Sequence, residues 1–244
     1  MALPILAMLA WAACTETGLI EHRAIAGPVA TAGALADGIA SGGLLLDLGA
    51  TAARIAGGVL LGLLWGLPIG LASGVLKSEG SPRAAGLEPS LDFLRAIPPL
   101  LIFPLLLLAF GYGERARVGV IGWAAALVIS MHVASGLGRA SSQRLRALRA
   151  MGASRWQTFR WLYFYETLPA GVTALRHAFS TAGVVAVVTE MVIGVPHGLG
   201  ARAVAAQIAY ETADLYAVIC LTGGAGYLVS RTLLALEPHL IRWR

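Results

Sequence analysis

The chain has 244 residues, of which 57% are hydrophobic and only 13% are charged. Ordinary soluble domains are about one quarter charged, so this composition argues against a soluble globular protein. The formal net charge is +5, but the basic residues lie in segments between apolar runs. That distribution argues against nucleic-acid binding and is typical of a membrane protein with basic cytoplasmic loops.

Six apolar runs predict an all-α, polytopic membrane protein with about six transmembrane helices. They fall at about residues 3–14, 55–76, 91–113, 118–138, 171–195 and 215–236. The second run carries no charge and as a helix would be about 33 Å long, enough to cross a hydrocarbon core of about 30 Å. Residues 1–50 are predicted to hold the first span and an interfacial segment, 27–40, and residues 51–244 to form the core domain.

Arginine and lysine residues predict the orientation. With a cytoplasmic amino terminus, segments 77–90, 139–166 and 241–244 face the cytoplasm and hold most of the basic residues. The opposite loops hold few, so both termini are predicted to be cytoplasmic.

Glycines in the second run recur at every fourth position, at Gly58, Gly62, Gly66, Gly70 and Gly74. This spacing predicts close helix packing, within the subunit or across a dimer, or a role in lining a pathway.

Prolines should kink two of the runs, because proline lacks a backbone donor. They are Pro68 in the second run and Pro98, Pro99 and Pro104 in the third. Broken helices at membrane depth sometimes bind substrate, so Pro98 and Pro99 are pathway candidates.

Ionisable residues within apolar runs are costly in lipid and are therefore functional candidates. They are Arg95, His132, Arg176, His177, Glu190 and Arg231. Arg95, Arg176 and Arg231 are better explained as anchors that reach the interface near the cytoplasmic face. Glu190 lies deeper, so it should face protein or a polar cavity, and either a structural partner or the pathway fits.

Compact catalytic motifs are missing from the sequence. A P-loop needs a lysine directly after a glycine, but the single lysine, Lys77, follows Leu76. The chain therefore supplies no ATPase site, and any ATP work requires a partner. A Ser73/His132 pair leaves an intramembrane hydrolase as a weak rival. The spacing of Cys14 and Cys220 predicts neither a disulfide framework nor a metal site, and no cofactor is predicted in this chain.

The segment 139–169 is predicted to contain a short cytoplasmic docking helix. Ser141 or Ser142 can cap it, Gly152 can end it in the left-handed conformation, and three apolar residues fall on one side. Those three are Leu145, Leu148 and Met151. A helix of two to three turns is marginal alone, so it should dock on something.

This segment resembles the cytoplasmic loop of ABC importer permeases of the sulfonate, taurine and nitrate type. The shared features are the core Gly152-Ala153-Ser154-Arg155-Trp156 within 146–157 and the pair Leu168-Pro169. The resemblance extends from about residue 51 to the carboxy terminus. It includes 51–74, 94–99, 110–114, Thr189-Glu190-Met191 and the segment 198–200.

The resemblance implies a type I importer permease fold in the bacterial inner membrane, with two copies forming the pathway. It also implies cytoplasmic ATPases that hold ATP and Mg and grip the coupling loop, and an extracytoplasmic solute-binding protein. The coupling residues implied are Arg146, Ala147, Leu148, Arg149, Met151, Gly152, Ala153, Leu168 and Pro169.

The family carries small anions, and relatives carry pyrimidines or flavins, so the solute stays open. An ion-driven secondary transporter is the rival of another class. The sequence departs from the family at Arg146, usually Glu, at Leu148, usually Ala, and at Tyr165, often Pro. The charge reversal at Arg146 affects any salt bridge that the family glutamate makes.

Overall fold

The computed structural model describes residues 11–13, 15, 25–138 and 142–240, and these residues form helices joined by short turns. The all-α prediction is therefore confirmed for this part of the chain. The helices are α1 Pro28–Ala40, α2 Gly43–Ser78, α3 Ala84–Ala96, α4 Pro99–Phe110, α5 Glu114–Gly138, α6 Ser142–Ala150, α7 Arg155–Thr158, a π-helical turn Phe159–Tyr163, α8 Phe164–Ile193, α9 Leu199–Ile208 and α10 Thr212–Leu240.

Four helical stretches of the described residues are long and apolar enough to span a membrane. They are Gly43–Ser78, Glu114–Gly138, Arg155–Ile193 and Thr212–Pro238. The pair α3 and α4 could form a fifth, broken span. The predicted first span, 3–14, lies mostly outside the described residues.

The predicted third span is two helices that meet at 87°. α3 ends where the N–H of Ile97 bonds to the carbonyl of Leu94 at 3.3 Å, and Pro98 then takes an extended ψ of 128°. Neither Pro98 nor Pro99 can donate a backbone hydrogen bond, so the helix breaks there. Pro68 and Pro104 lie inside α2 and α4, which continue on both sides of them.

α2 is longer than the sequence predicts, because it begins at Gly43 rather than near residue 55. The extra turns carry Asp47, Thr51 and Arg54, all buried. Because these residues are polar, this part of the helix does not belong to an uninterrupted apolar run.

The described residues group into two compact units. One contains the residues up to 53 together with 186–227, and the other contains 54–185 together with the residues from 228. The first unit has an apolar cluster of Leu44, Leu199, Ala203 and Val218.

The second unit is built on close contact between α2 and α5. The glycines at 58, 62, 66, 70 and 74 are all buried against α5. A Cβ atom at Gly62 would lie 2.5 Å from the Cβ of Ala125, and one at Gly70 would lie 2.7 Å from the carbonyl oxygen of Ser130. A side chain larger than hydrogen would push the two helices apart, so the glycine stripe faces a helix of the same chain.

Candidate coupling surface and membrane polar sites

The carboxyl end of α6 is fixed by its own backbone. Gly152 has a φ of 75°, as the sequence predicts for the residue that ends this helix. Its N–H bonds to the carbonyl of Arg149, and the N–H of Ala153 bonds to the carbonyl of Leu148, each at 3.0 Å. This pair of bonds is a Schellman motif, which satisfies carbonyls that a helix end otherwise leaves free. The proposed caps, Ser141 and Ser142, lie outside the described side chains.

The three apolar residues predicted along α6 do not share one environment. Leu145 is 5% exposed, Leu148 is partly buried and Met151 is 73% exposed. A helix this short gains stability by burying apolar area, and Leu145 does so inside its own chain. The surface left for a partner contains Met151, Ala147 and Arg146, which are all exposed.

Two arginines of α6 form ion pairs within the chain. Arg144 Nη1 lies 2.6 Å from Glu166 Oε1 in α8, and Arg149 Nη2 lies 2.7 Å from Glu79 Oε1, just after α2. These exposed pairs each contribute at most about 1 kcal/mol. Arg146 forms no ion pair with a described residue, so its charge is available to a partner.

α7 begins with a capping box that the sequence search did not identify. The N–H of Gln157 donates to Ser154 Oγ at 3.2 Å, and the N–H of Ser154 donates to Gln157 Oε1 at 2.7 Å. The signal was the Ser-x-x-Gln spacing that begins two residues after Gly152. The helical stretch therefore starts at Arg155 rather than near residue 171, and Leu168 and Pro169 lie inside it, partly buried.

Glu190 is fully buried in the first unit and accepts hydrogen bonds there. The Thr51 hydroxyl donates to both carboxylate oxygens at 3.0 Å, and the N–H of Gly200 donates to Oε2 at 2.9 Å. Thr51 Oγ1 in turn accepts the N–H of Leu199 at 2.9 Å. The carboxylate therefore caps the amino end of α9, where backbone donors otherwise lack partners.

Asp47 completes this group, which we call the α9 clamp: Asp47, Thr51 and Glu190 around the backbone of 198–200. Asp47 Oδ1 accepts the N–H of Gly198 at 3.0 Å. A Cβ atom at Gly200 would overlap the carbonyl oxygen of Val187, so the backbone approaches closely only with glycine. The sequence search missed Asp47, although Asp47 and Thr51 are four residues apart and so share one face of α2.

Arg202 braces the clamp from α9. Its Nη2 and Nε donate to the Asp214 carboxylate at 2.9 and 3.0 Å, and its Nη1 lies 3.4 Å from Asp47 Oδ2. The hydrogen bond to Asp214 raises the pKa of Arg202, so the guanidinium stays charged. Arg202 therefore joins two carboxylates of the first unit.

The other pathway candidates have separate surroundings. His132 in α5 stacks on His177 in α8 with ring centroids 4.8 Å apart, and its Nδ1 lies 2.9 Å from the carbonyl of Val128. Arg95 is exposed at the end of α3 and lies 3.6 Å from Asp92. Pro98 and Pro99 form the bend.

A family model described as "Binding-protein-dependent transport system inner membrane component" matches residues 66–241, well over half of the chain. The chain belongs to this family. It is therefore a multi-pass inner-membrane permease, and the family is one of transport subunits.

Three relatives of this permease carry more specific names. The taurine transport system permease protein TauC of Escherichia coli is 29% identical over 197 residues, which cover 80% of this chain and 70% of that protein. The putative aliphatic sulfonates transport permease protein SsuC of Bacillus subtilis is 26% identical over 242 residues. The match covers 99% of this chain and 86% of that protein. The formylaminopyrimidine transport permease protein ThiX of Halalkalibacterium halodurans is 29% identical over 197 residues. The match covers 81% of this chain and 77% of that protein.

A solved structure of the MetNI methionine ABC transporter, in an inward-facing conformation, has a similar chain. The TM-score is 0.71 at 22% identity, and the match covers 81% of this chain and 96% of that one. The fold is therefore that of type I ABC importer permeases, as the sequence predicts.

Proposed function

We propose that this permease imports a small anion of the sulfonate, taurine or nitrate type, with energy from ATP hydrolysed by a cytoplasmic partner. Two copies would form the pathway, an extracytoplasmic protein would deliver the solute, and both termini would be cytoplasmic. The observation that carries the coupling part is the exposed side of α6, which presents Arg146, Ala147 and Met151 on a helix braced from within.

The contacts that hold α6 within the chain would allow this helix to act as a rigid lever. Leu145 is buried, and the ion pairs of Arg144 and Arg149 tie α6 to α8 and to the end of α2. A displacement applied to the exposed side would therefore reach two spanning helices. ATP and Mg, held by the partner, would bias a two-state equilibrium through this contact.

Arg146 sets a requirement on the partner. Arg144 and Arg149 already have carboxylate partners, whereas Arg146 is exposed where the resembling family usually has glutamate. An ATPase that fits this permease should place an acidic residue opposite Arg146, because a buried unpaired guanidinium would weaken the contact.

Substitutions on the exposed side test coupling. In the reconstituted importer, Ala147→Asp or Gly152→Asp should abolish uptake and remove the stimulation of ATPase activity by loaded binding protein. Ala147→Ser is the matched control and should keep both. Normal uptake and stimulation in both aspartate variants would contradict the proposal, as would ion-gradient uptake by the permease alone.

The solute assignment draws on the names of two relatives. TauC and SsuC are named for taurine and aliphatic sulfonates, which share an anionic sulfonate group. ThiX is named for formylaminopyrimidine and favours a pyrimidine as the second candidate.

Uptake by the importer with its own binding protein separates these solutes. Taurine or an alkyl sulfonate should compete with the transported solute for uptake. Competition by nitrate as well would indicate a broader anion specificity. Competition by formylaminopyrimidine alone would assign the second candidate.

A further inference from the structure

A long apolar groove lies within the second unit, lined by α2, α3, α4 and α5. Its volume is about 800 Å³. α2 contributes Leu61, Trp65 and Ile69, which recur at four-residue spacing, and α4 contributes Leu106. The lining residues of α5 extend to Ser130, so the groove follows that helix for about 23 Å. This exceeds the thickness of one leaflet, about 15 Å, and is long enough for an extended acyl chain.

One end of the groove is basic. It is lined there by Glu114 and Arg115, the first residues of α5. The Glu114 carboxylate is already paired, with Arg54 Nε and Arg117 Nη1 each at 2.8 Å. Arg115 is exposed and forms no ion pair with any residue that the structure describes. Because α5 is a spanning helix that starts here, this end lies at a membrane face.

We propose that the groove holds an acyl chain of an anionic phospholipid whose phosphate binds Arg115. Arginine matches phosphate with parallel hydrogen bonds, and a lipid places its phosphate at the membrane face and its chain in the apolar part. A helix of a second copy could also fill an apolar groove. That helix would cover Arg115, at a cost in free energy unless it supplied an acid.

Lipid retention by the purified permease tests the proposal. The chain is exposed to equal amounts of phosphatidylglycerol and phosphatidylcholine with identical acyl chains, and bound lipid is counted by native mass spectrometry. The wild type should prefer phosphatidylglycerol by about fivefold, the preference expected for one arginine at the membrane surface. Arg115→Gln should abolish the preference, whereas Arg83→Gln, an exposed arginine that does not line the groove, should keep it.

A second variant tests the apolar part. Leu106→Phe narrows the groove and should lower retention of both lipids without changing their ratio. Equal retention of the two lipids by the wild type, or an unchanged ratio in Arg115→Gln, would overturn the proposal. A disulfide between two copies carrying Leu106→Cys together with Cys14→Ser and Cys220→Ser would also overturn it, because a second copy would then cover the groove.

Discussion

The coupling segment and the α9 clamp use polar side chains in opposite ways. In the clamp, Glu190 and Thr51 are buried and bonded to each other and to backbone donors. In the coupling segment, Arg146 is exposed and forms no ion pair with a described residue. Arg149 forms a solvent-exposed ion pair with Glu79. Polar groups whose hydrogen bonds are made within the chain stabilise the fold, whereas exposed polar groups can bind a partner protein. Substitutions should therefore affect stability in the clamp and transport in the coupling segment.

Glu190→Ala should have the largest effect on stability. It leaves the Thr51 hydroxyl and the N–H of Gly200 without their acceptor, at about 3 kcal/mol of unfolding free energy. Thermal or denaturant unfolding of the purified permease measures this, with exposed Glu211→Ala as control. Unchanged stability with lost uptake would instead assign Glu190 to the pathway.

Thr51→Val should cost less, about 1–2 kcal/mol, because the side chain keeps its shape and only the hydroxyl is lost. The N–H of Leu199 then has no acceptor, and Glu190 loses one donor. Thr51→Ser restores the hydroxyl and should recover most of the loss in the same unfolding measurement. Equal stability of the valine and serine variants would contradict the clamp.

Gly152→Ala should cost about 1 kcal/mol, because alanine is strained at a φ of 75°. The larger consequence should be reduced uptake, since the turn after α6 would change. Gly33→Ala in α1 is the matched control, because a Cβ atom there meets nothing within 4 Å. A stable Gly152→Ala permease with full uptake would show that this turn does not matter for coupling.

The Arg149–Glu79 ion pair should contribute least. Its side chains are 53% and 37% exposed, so a double-mutant cycle with Arg149→Ala and Glu79→Ala should give a coupling energy below about 1 kcal/mol. High salt should reduce it further. A coupling energy of several kcal/mol would place this pair with the clamp, and the contrast between the two regions would fail.

The sequence predicted most of the fold because apolar length decides which segments can span a membrane. It predicted the spans in α2, α5, α8 and α10, the break at Pro98–Pro99 and the left-handed end of α6. Each of these follows from local chemistry: hydrocarbon length, a missing proline donor or the conformational freedom of glycine at Gly152.

The clamp was harder to predict, because its partners are far apart in the chain. Glu190 was a candidate, but Thr51 and the N–H of Gly200 become its partners only once three helices meet. The burial of Leu145 also depends on tertiary contacts, which periodicity within α6 cannot show. The structure shows that Arg146 is exposed. The acidic residue expected opposite it belongs to another protein and stays a prediction.

The glycine stripe of α2 also restricts how the helix can move. A displacement along α5 by about 3 Å, half of the four-residue repeat, would place each contact point on α5 between two glycines rather than opposite one. The next register that again aligns glycines lies four residues away, or about 6 Å. Sliding in small steps should therefore be unfavourable, and in the proposed importer we expect α5 and the part of α2 from residue 54 to move together.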